Sequence, residues 1–219
     1  MYTLLALHVL EEHGLGFETH HVASEWLSHL PFHEVFTAER VAYRNLVLGL
    51  RAPETASFRN PYREFIGAQI RADMWGYVSV GAPERAAELA FRDASLSHTR
   101  NGLYGAMFVA AMLAAAHTTR DVETVIQIGL SEIPARCRLA EAINRVVEWA
   151  HASDWEQTLD RIWETYGHYD PIHVINNAAV VAAALLHGHD DFTHTIGVAV
   201  TGGFDTDCNA ATVGSIFGL

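Results

Sequence analysis

The 219-residue sequence contains no lysine and only two cysteines, Cys137 and Cys208. All 14 of its basic residues are therefore arginines, and the net charge is −12 at pH 7. This balance excludes chemistry that depends on a lysine amine. It also argues against a nucleic-acid surface, which needs positive charge clustered on one face. Two cysteines make no disulfide framework, so we expect a cytoplasmic protein.

Long apolar runs are lacking as well. No stretch approaches the roughly 20 apolar residues that span a bilayer, and we expect no association with a membrane. The first residues carry neither a basic region nor a small-residue cleavage site, so we expect no signal peptide. Half of the residues are hydrophobic and 18% are charged. This composition favours a folded chain with one core, and we expect a single domain over residues 1–219.

The sequence does have helical periodicity along nearly its whole length. Apolar residues recur at helical spacing, and the strict alternation typical of strands is missing. We therefore expect an all-α fold of about a dozen helices. Thr19 is the expected cap of the second helix, and residues 153–156 resemble a capping box. The expected helices include residues 2–12, 22–30, 37–48, 83–97, 101–116, 121–133, 135–151, 155–166, 171–186 and 192–200, with a last helix after Asp207.

The most informative stretch is Thr-Gly-Gly-Phe-Asp-Thr-Asp-Cys-Asn at residues 201–209. Its glycines permit a tight turn, and Asp205 and Asp207 follow at the start of a helix of small residues. Carboxylates in this position cap the free N–H groups of the helix, or they converge on a hard cation such as Mg²⁺. A bare Asp-x-Asp favours capping, because short motifs often match by chance. The residues alone leave both alternatives open.

This stretch resembles the C-terminal metal motif of the ADP-ribosylglycohydrolase family, in which a Gly-Gly-Asp-Thr-Asp-Thr-Asn-like segment opens a small-residue helix. The resemblance implies that Asp205, Asp207 and Cys208 are metal ligands. It also implies Mg²⁺ as the cofactor, with Mn²⁺ as the alternative, in a site that is dinuclear in the family. Cys208 departs from the usual threonine of the motif, and a thiol is a soft ligand for a hard cation.

Two further segments are similar to the family. Residues 66–76 resemble its Gly-x-Gly-Ala-Ala-Met-Arg stretch, and Ser97-His98 resembles its Leu-Thr-His segment. The resemblance implies that the substrate is contacted by Gly67, Gln69, Arg71 and His98. The alternatives are an ordinary amphipathic helix with a surface Arg71, and a histidine that caps the preceding helix. For the amides of residues 176–177 we expect a structural role.

One part of the family pattern is missing. The acidic run that forms the second metal motif would fall before Tyr2, and family members continue beyond Leu219. We therefore expect a chain truncated at both ends, with half of the dinuclear site visible. Glu34 and Glu39 are candidates for a further carboxylate, although their spacing does not require it. The resemblance assigns no general base.

The main functional hypothesis is a Mg²⁺-dependent hydrolase that removes ADP-ribose, or a related ribosyl group, from an acceptor. The expected partner is an ADP-ribosylated protein or a small ADP-ribose-like substrate, with weak or no turnover by this chain. A second hypothesis is a remnant that binds ADP-ribose or a nucleotide sugar without hydrolysis. The third is a helical scaffold in which Asp205 and Asp207 only cap a helix.

Overall fold

The computed structural model describes all 219 residues. The expected all-α class is confirmed, because the chain forms fourteen α-helices and two short 3₁₀ helices, at Gly14–Gly16 and Phe32–Glu34, and no strand. The α-helices are α1 (Tyr2–His13), α2 (Thr19–His29), α3 (Thr37–Val47), α4 (Glu54–Ser57), α5 (Gly67–Ile70), α6 (Asp73–Tyr77), α7 (Pro83–Ala94), α8 (Arg100–Ala116), α9 (Val122–Ser131), α10 (Arg138–Ala152), α11 (Trp155–Tyr166), α12 (Val174–Leu186), α13 (Phe192–Thr201) and α14 (Thr206–Phe217).

Helices α8 and α12 form the centre of the molecule. Both are apolar around most of their circumference, which is typical of a helix that neighbours surround on every side. Helices α5, α6, α7 and α9 pack on α8, and helices α10, α11, α13 and α14 pack on α12. Alanine and glycine at these contacts allow close approach of the backbones. None of the helices combines the length and apolarity that crossing a membrane requires.

Several helix boundaries differ from the sequence prediction. Thr19 is the first residue of α2 rather than its cap, and its hydroxyl donates to the carbonyl of Arg92 at 2.7 Å. Asp154 caps α11 by accepting from the N–H of Gln157 at 2.9 Å, whereas Ser153 donates back into α10. The stretch of residues 66–76 is not one helix but two short ones, α5 and α6. The break between them lies at Arg71, whose side chain enters the interior.

Helices α6 and α8 pack closely because Gly76 in α6 has no side chain. A Cβ on Gly76 would clash with the side chain of Leu113 and lie 3.0 Å from the carbonyl oxygen of Ala110. We therefore expect Gly76→Ala to lower the free energy of unfolding by about 1–3 kcal/mol through overpacking. Urea denaturation followed by circular dichroism measures this change.

Gly197→Ala is the matched control, because a Cβ on Gly197 in α13 would point into open space, with no neighbouring group within 4 Å. There the same substitution removes backbone freedom from the unfolded chain and is expected to stabilise by about 0.4–1 kcal/mol. Equal effects at the two positions would contradict the close α6–α8 contact.

Candidate functional site

The turn before α14 is built on two glycines. A Cβ on Gly202 would lie 2.5 Å from Cγ1 of Val180 in α12, so the turn can pass this close only without a side chain. Gly203 and Phe204 both have positive φ angles, 74° and 57°. This conformation favours glycine and reverses the chain between α13 and α14. As a result, Asp205 stands at the start of α14 with its backbone turned toward α12.

Asn177 of α12 holds this turn in place. Its Oδ1 accepts hydrogen bonds from the backbone N–H of Asp205 and from Nδ2 of Asn209, both at 2.9 Å. Its own Nδ2 donates to two backbone carbonyl oxygens at the N-terminal end of α12. The side chain is completely buried, where an unpaired amide would be costly. The amide therefore bridges two helices, as expected for the pair at residues 176–177.

The structure brings Asp205, Asp207 and Cys208 together. Their potential ligand atoms all lie within 4.8 Å of one another. Asp205 occupies the N-cap position of α14, yet its carboxylate makes no capping hydrogen bond. Its pKa is raised, first by burial and then by the neighbouring Asp207. Two adjacent carboxylates, one of them partly desolvated, form an arrangement that a bound cation would stabilise.

Cys208 contributes differently from the two carboxylates. Burial raises the pKa of its thiol, and the negative charges of Asp205, Asp207 and Glu39 raise it further. A protonated thiol is a weak ligand, and sulfur is a poor match for a hard cation. The donor set therefore fits Mg²⁺ or Mn²⁺ through its carboxylates, with Cys208 as the weakest member. Glu39 of α3 thus contributes negative charge near the cluster, although only Asp205, Asp207 and Cys208 have convergent ligand atoms.

The sequence left both Glu34 and Glu39 as candidates for a further carboxylate, and Glu39 is the buried one. It is 4% exposed, whereas Glu34 lies exposed in the 3₁₀ helix before α3. Gly67, at the start of α5, abuts the Glu39 carboxylate so closely that a Cβ there would clash with both of its oxygens. Burial raises the pKa of Glu39, and Arg71 partly offsets that effect. Gly67 thus makes room for a carboxylate.

Arg71 lies in the interior, 4% exposed, and not on the surface of an ordinary amphipathic helix. Its Nε donates to Oε1 of Glu39 at 3.3 Å, Nη1 donates to Asp93, and Nη2 donates to Oγ of Ser97 at 3.0 Å. One guanidinium therefore donates hydrogen bonds to two buried carboxylates. Asp93 has the closer contact and a second donor in Trp75, which leaves Glu39 with the less compensated negative charge.

His98 continues this chain of polar groups. Its Nδ1 lies 2.8 Å from Oγ of Ser97, while its buried Nε2 has no hydrogen-bond partner. Burial, followed by the positive charge of Arg71, lowers the pKa of His98 well below 6.5. Because Arg71 donates to the Ser97 oxygen, we assign the Ser97 proton to Nδ1 and the ring proton to Nε2. The neutral imidazole therefore presents an unpaired donor.

Gln69 is separate from the other predicted substrate residues. It is completely buried, and neither atom of its amide has a partner. It lies against Gly105 of α8, where a Cβ would come within 2.9 Å of Oε1 of Gln69. Gly67 and Arg71 thus meet at Glu39, and His98 joins them through Ser97. Gln69 instead faces the central helix.

The sequence analysis gave no role to two aromatic residues, one inside the motif and one next to it in the fold. The rings of Trp163 and Phe204 stack with centroids 4.0 Å apart and planes at 16°. Nε1 of Trp163 donates to the carbonyl of Gly202 at 2.9 Å, which anchors the stack to the turn. Trp163 is 47% exposed. The position of Phe204 inside the motif was a usable signal, but nothing in the sequence connects Trp163 to it.

The environment of His98 predicts a pH dependence of stability. A depressed pKa means that the unfolded chain takes up the proton first, so stability falls as the pH drops below 6.5 toward the lower pKa of the buried ring. His98→Gln should abolish the uptake of about one proton on unfolding. The free energy of unfolding should therefore lose a pH slope of about 1.4 kcal/mol per pH unit. Urea titrations at a series of pH values measure the slope. Ser97→Ala, which leaves the imidazole buried beside Arg71, should retain the slope; loss in both variants would contradict the assignment.

Comparison with known proteins identifies the family of the chain. The sequence model of the ADP-ribosylglycohydrolase family matches residues 1–219. None of the curated protein sequences matches the chain at a significant level. The chain therefore belongs to the ADP-ribosylglycohydrolase family, which is a family of hydrolases.

Proposed function

We propose that this chain hydrolyses the bond between ADP-ribose, or a related ribosyl group, and an acceptor, in a reaction that depends on Mg²⁺ or Mn²⁺. The observation that carries the proposal is the convergence of the potential ligand atoms of Asp205, Asp207 and Cys208 within 4.8 Å of one another. Membership of the family supports the hydrolase class. The proposed substrate is an ADP-ribosylated protein or a small ADP-ribose-like molecule.

In this proposal Asp205 and Asp207 hold the cation, and Cys208 is at most a weak third ligand. When bound, a cation held by these carboxylates would supply Lewis-acid chemistry, polarising substrate oxygens and an attacking water. Glu39 contributes a further negative charge from α3, and Arg71 fixes its position. Because Arg71 is enclosed by Glu39, Asp93 and Ser97, we assign it a positioning role instead of a direct substrate contact.

In this proposal His98 and Trp163 contact the substrate, and Gly67 leaves space for it. The unpaired Nε2–H of His98 is a donor suited to a ribose or phosphate oxygen. The exposed face of Trp163, backed by Phe204, is suited to stacking with a purine, a contact typically worth about 1–3 kcal/mol per base. Gly67 leaves space beside Glu39.

The proposal is tested by hydrolysis of ADP-ribosyl-arginine with Mg²⁺ or Mn²⁺ in the native chain and in Asp207→Asn. Asp207 is exposed, so the variant should fold. We expect turnover to fall by about 100-fold or more, since even groups that only support a metal ligand contribute about 10–100-fold. Glu156→Gln is the matched control, because Glu156 is also an exposed carboxylate in the first turn of a helix, and it should leave turnover unchanged.

A second function is favoured by one observation: only two of the three convergent side chains, Asp205 and Asp207, offer oxygen donors. In this alternative the chain binds ADP-ribose without cleaving the substrate. Calorimetry would then show that ADP-ribose binds in the presence of Mg²⁺ or Mn²⁺, and the activity assay would show no hydrolysis. A chain that shows no hydrolysis and no ADP-ribose binding would leave both functions without support.

A further inference from the structure

A second group of metal-ligating side chains lies outside the motif. Nδ1 of His8 in α1 is 2.8 Å from Oε2 of Glu25 in α2, and Nδ1 of His29 is 2.9 Å from the same oxygen. The ligand atoms of the three residues all lie within 4.8 Å of one another. The two imidazole rings meet edge to face, with centroids 5.2 Å apart. Three donors therefore converge on one point between two helices.

The fold itself brings the three side chains together, through helical spacing and through the packing of α1 on α2. Glu25 and His29 are four residues apart on α2, so they share one face of the helix. His8 comes from a different helix, and the α1–α2 packing brings it to the same point. The Glu25 side chain is 10% exposed, while those of His8 and His29 are 42% and 52% exposed. A buried carboxylate thus lies beneath two imidazoles that reach solvent.

The charge of Glu25 is incompletely balanced by its neighbours. Its ion-pair partners are the two imidazoles, which carry full charge only when protonated, and the chain has no lysine that could take their place. A divalent cation would supply that charge with both imidazoles neutral.

We propose that His8, Glu25 and His29 bind a transition-metal ion of the Zn²⁺ class. Two imidazole nitrogens and one carboxylate oxygen suit Zn²⁺, and they suit Mg²⁺ poorly because it prefers oxygen ligands. Bonds of about 2.0–2.2 Å in tetrahedral geometry place ligand atoms about 3.4 Å apart. The exposed imidazoles need to move outward by only about 0.5 Å to reach this spacing. Because both imidazoles reach solvent, water would complete the coordination of the ion.

The bound ion would clamp α1 to α2. These helices contribute Tyr2 and Trp26, whose ring centroids are 5.5 Å apart. The guanidinium of Arg71 lies 5.4 Å from the Tyr2 ring centroid and 5.1 Å from that of Trp26. The clamp therefore fixes the pair of helices that covers the buried arginine. Its expected effect is on stability, and the site does not depend on the proposed hydrolysis.

The test is calorimetric titration of the tag-free chain with Zn²⁺ and with Mg²⁺, in an Asp205→Asn, Asp207→Asn background that weakens the competing cluster. We expect one Zn²⁺ per chain and a Zn²⁺-dependent rise in Tm. His8→Gln and His29→Gln should each weaken Zn²⁺ binding by about tenfold or more, since loss of even an indirect partner of a metal ligand costs about 10–100-fold. Both imidazoles are solvent-reaching, so both variants should fold.

His151→Gln is the control, because His151 lies 3.1 Å from Glu123 in an exposed pair with only two donors. It should leave Zn²⁺ affinity and the rise in Tm unchanged. Co²⁺ provides a second readout: a nitrogen-coordinated visible spectrum should appear in the background chain and disappear in His8→Gln. Equal Zn²⁺ affinity in the background chain and in both cluster variants would overturn the proposal and leave a hydrogen-bonded triad.

Discussion

The buried contact of Arg71 with Glu39 and Asp93 is the interaction on which the site depends. Moving charges out of water costs several kcal/mol per ion, and it is sustained only when each charge is paired and hydrogen-bonded. Here a single guanidinium meets both carboxylates and Ser97. Because these partners come from α3, α7 and the turn before α8, the contact fixes three parts of the chain around α5. The less compensated Glu39 is the member that influences Cys208.

Local features were predictable from the sequence. The all-α class follows from helical periodicity, which needs no knowledge of the tertiary fold. The proximity of Asp205, Asp207 and Cys208 follows from their spacing at the start of one helix. The shifted boundaries at Thr19 and Ser153 also have local causes, since an adjacent residue caps the helix in each case.

The rest of the site depends on long-range contacts that spacing cannot reveal. Arg71 finds its partners 32 and 22 residues away, so the sequence could not place it inside the molecule. Glu39 is buried because its face of α3 meets Gly67 of α5, whereas Glu34 lies exposed in the 3₁₀ helix before α3, and their spacing in the sequence does not show this difference. Trp163 reaches the Gly202 turn from 39 residues away. Similarly, the spacing of Glu25 and His29 is visible in the sequence, but the arrival of His8 depends on how two helices cross.

The absence of a side chain at Gly67 has a consequence that goes beyond packing. Its Cα lies against the Glu39 carboxylate, which is held in turn by Arg71. A single added methyl group would displace a charge, because the atoms it meets are carboxylate oxygens and not hydrocarbon. A larger side chain at residue 67 would therefore change the electrostatic potential at Cys208 in α14. This position couples sterics to electrostatics, so even alanine would be a non-conservative replacement there.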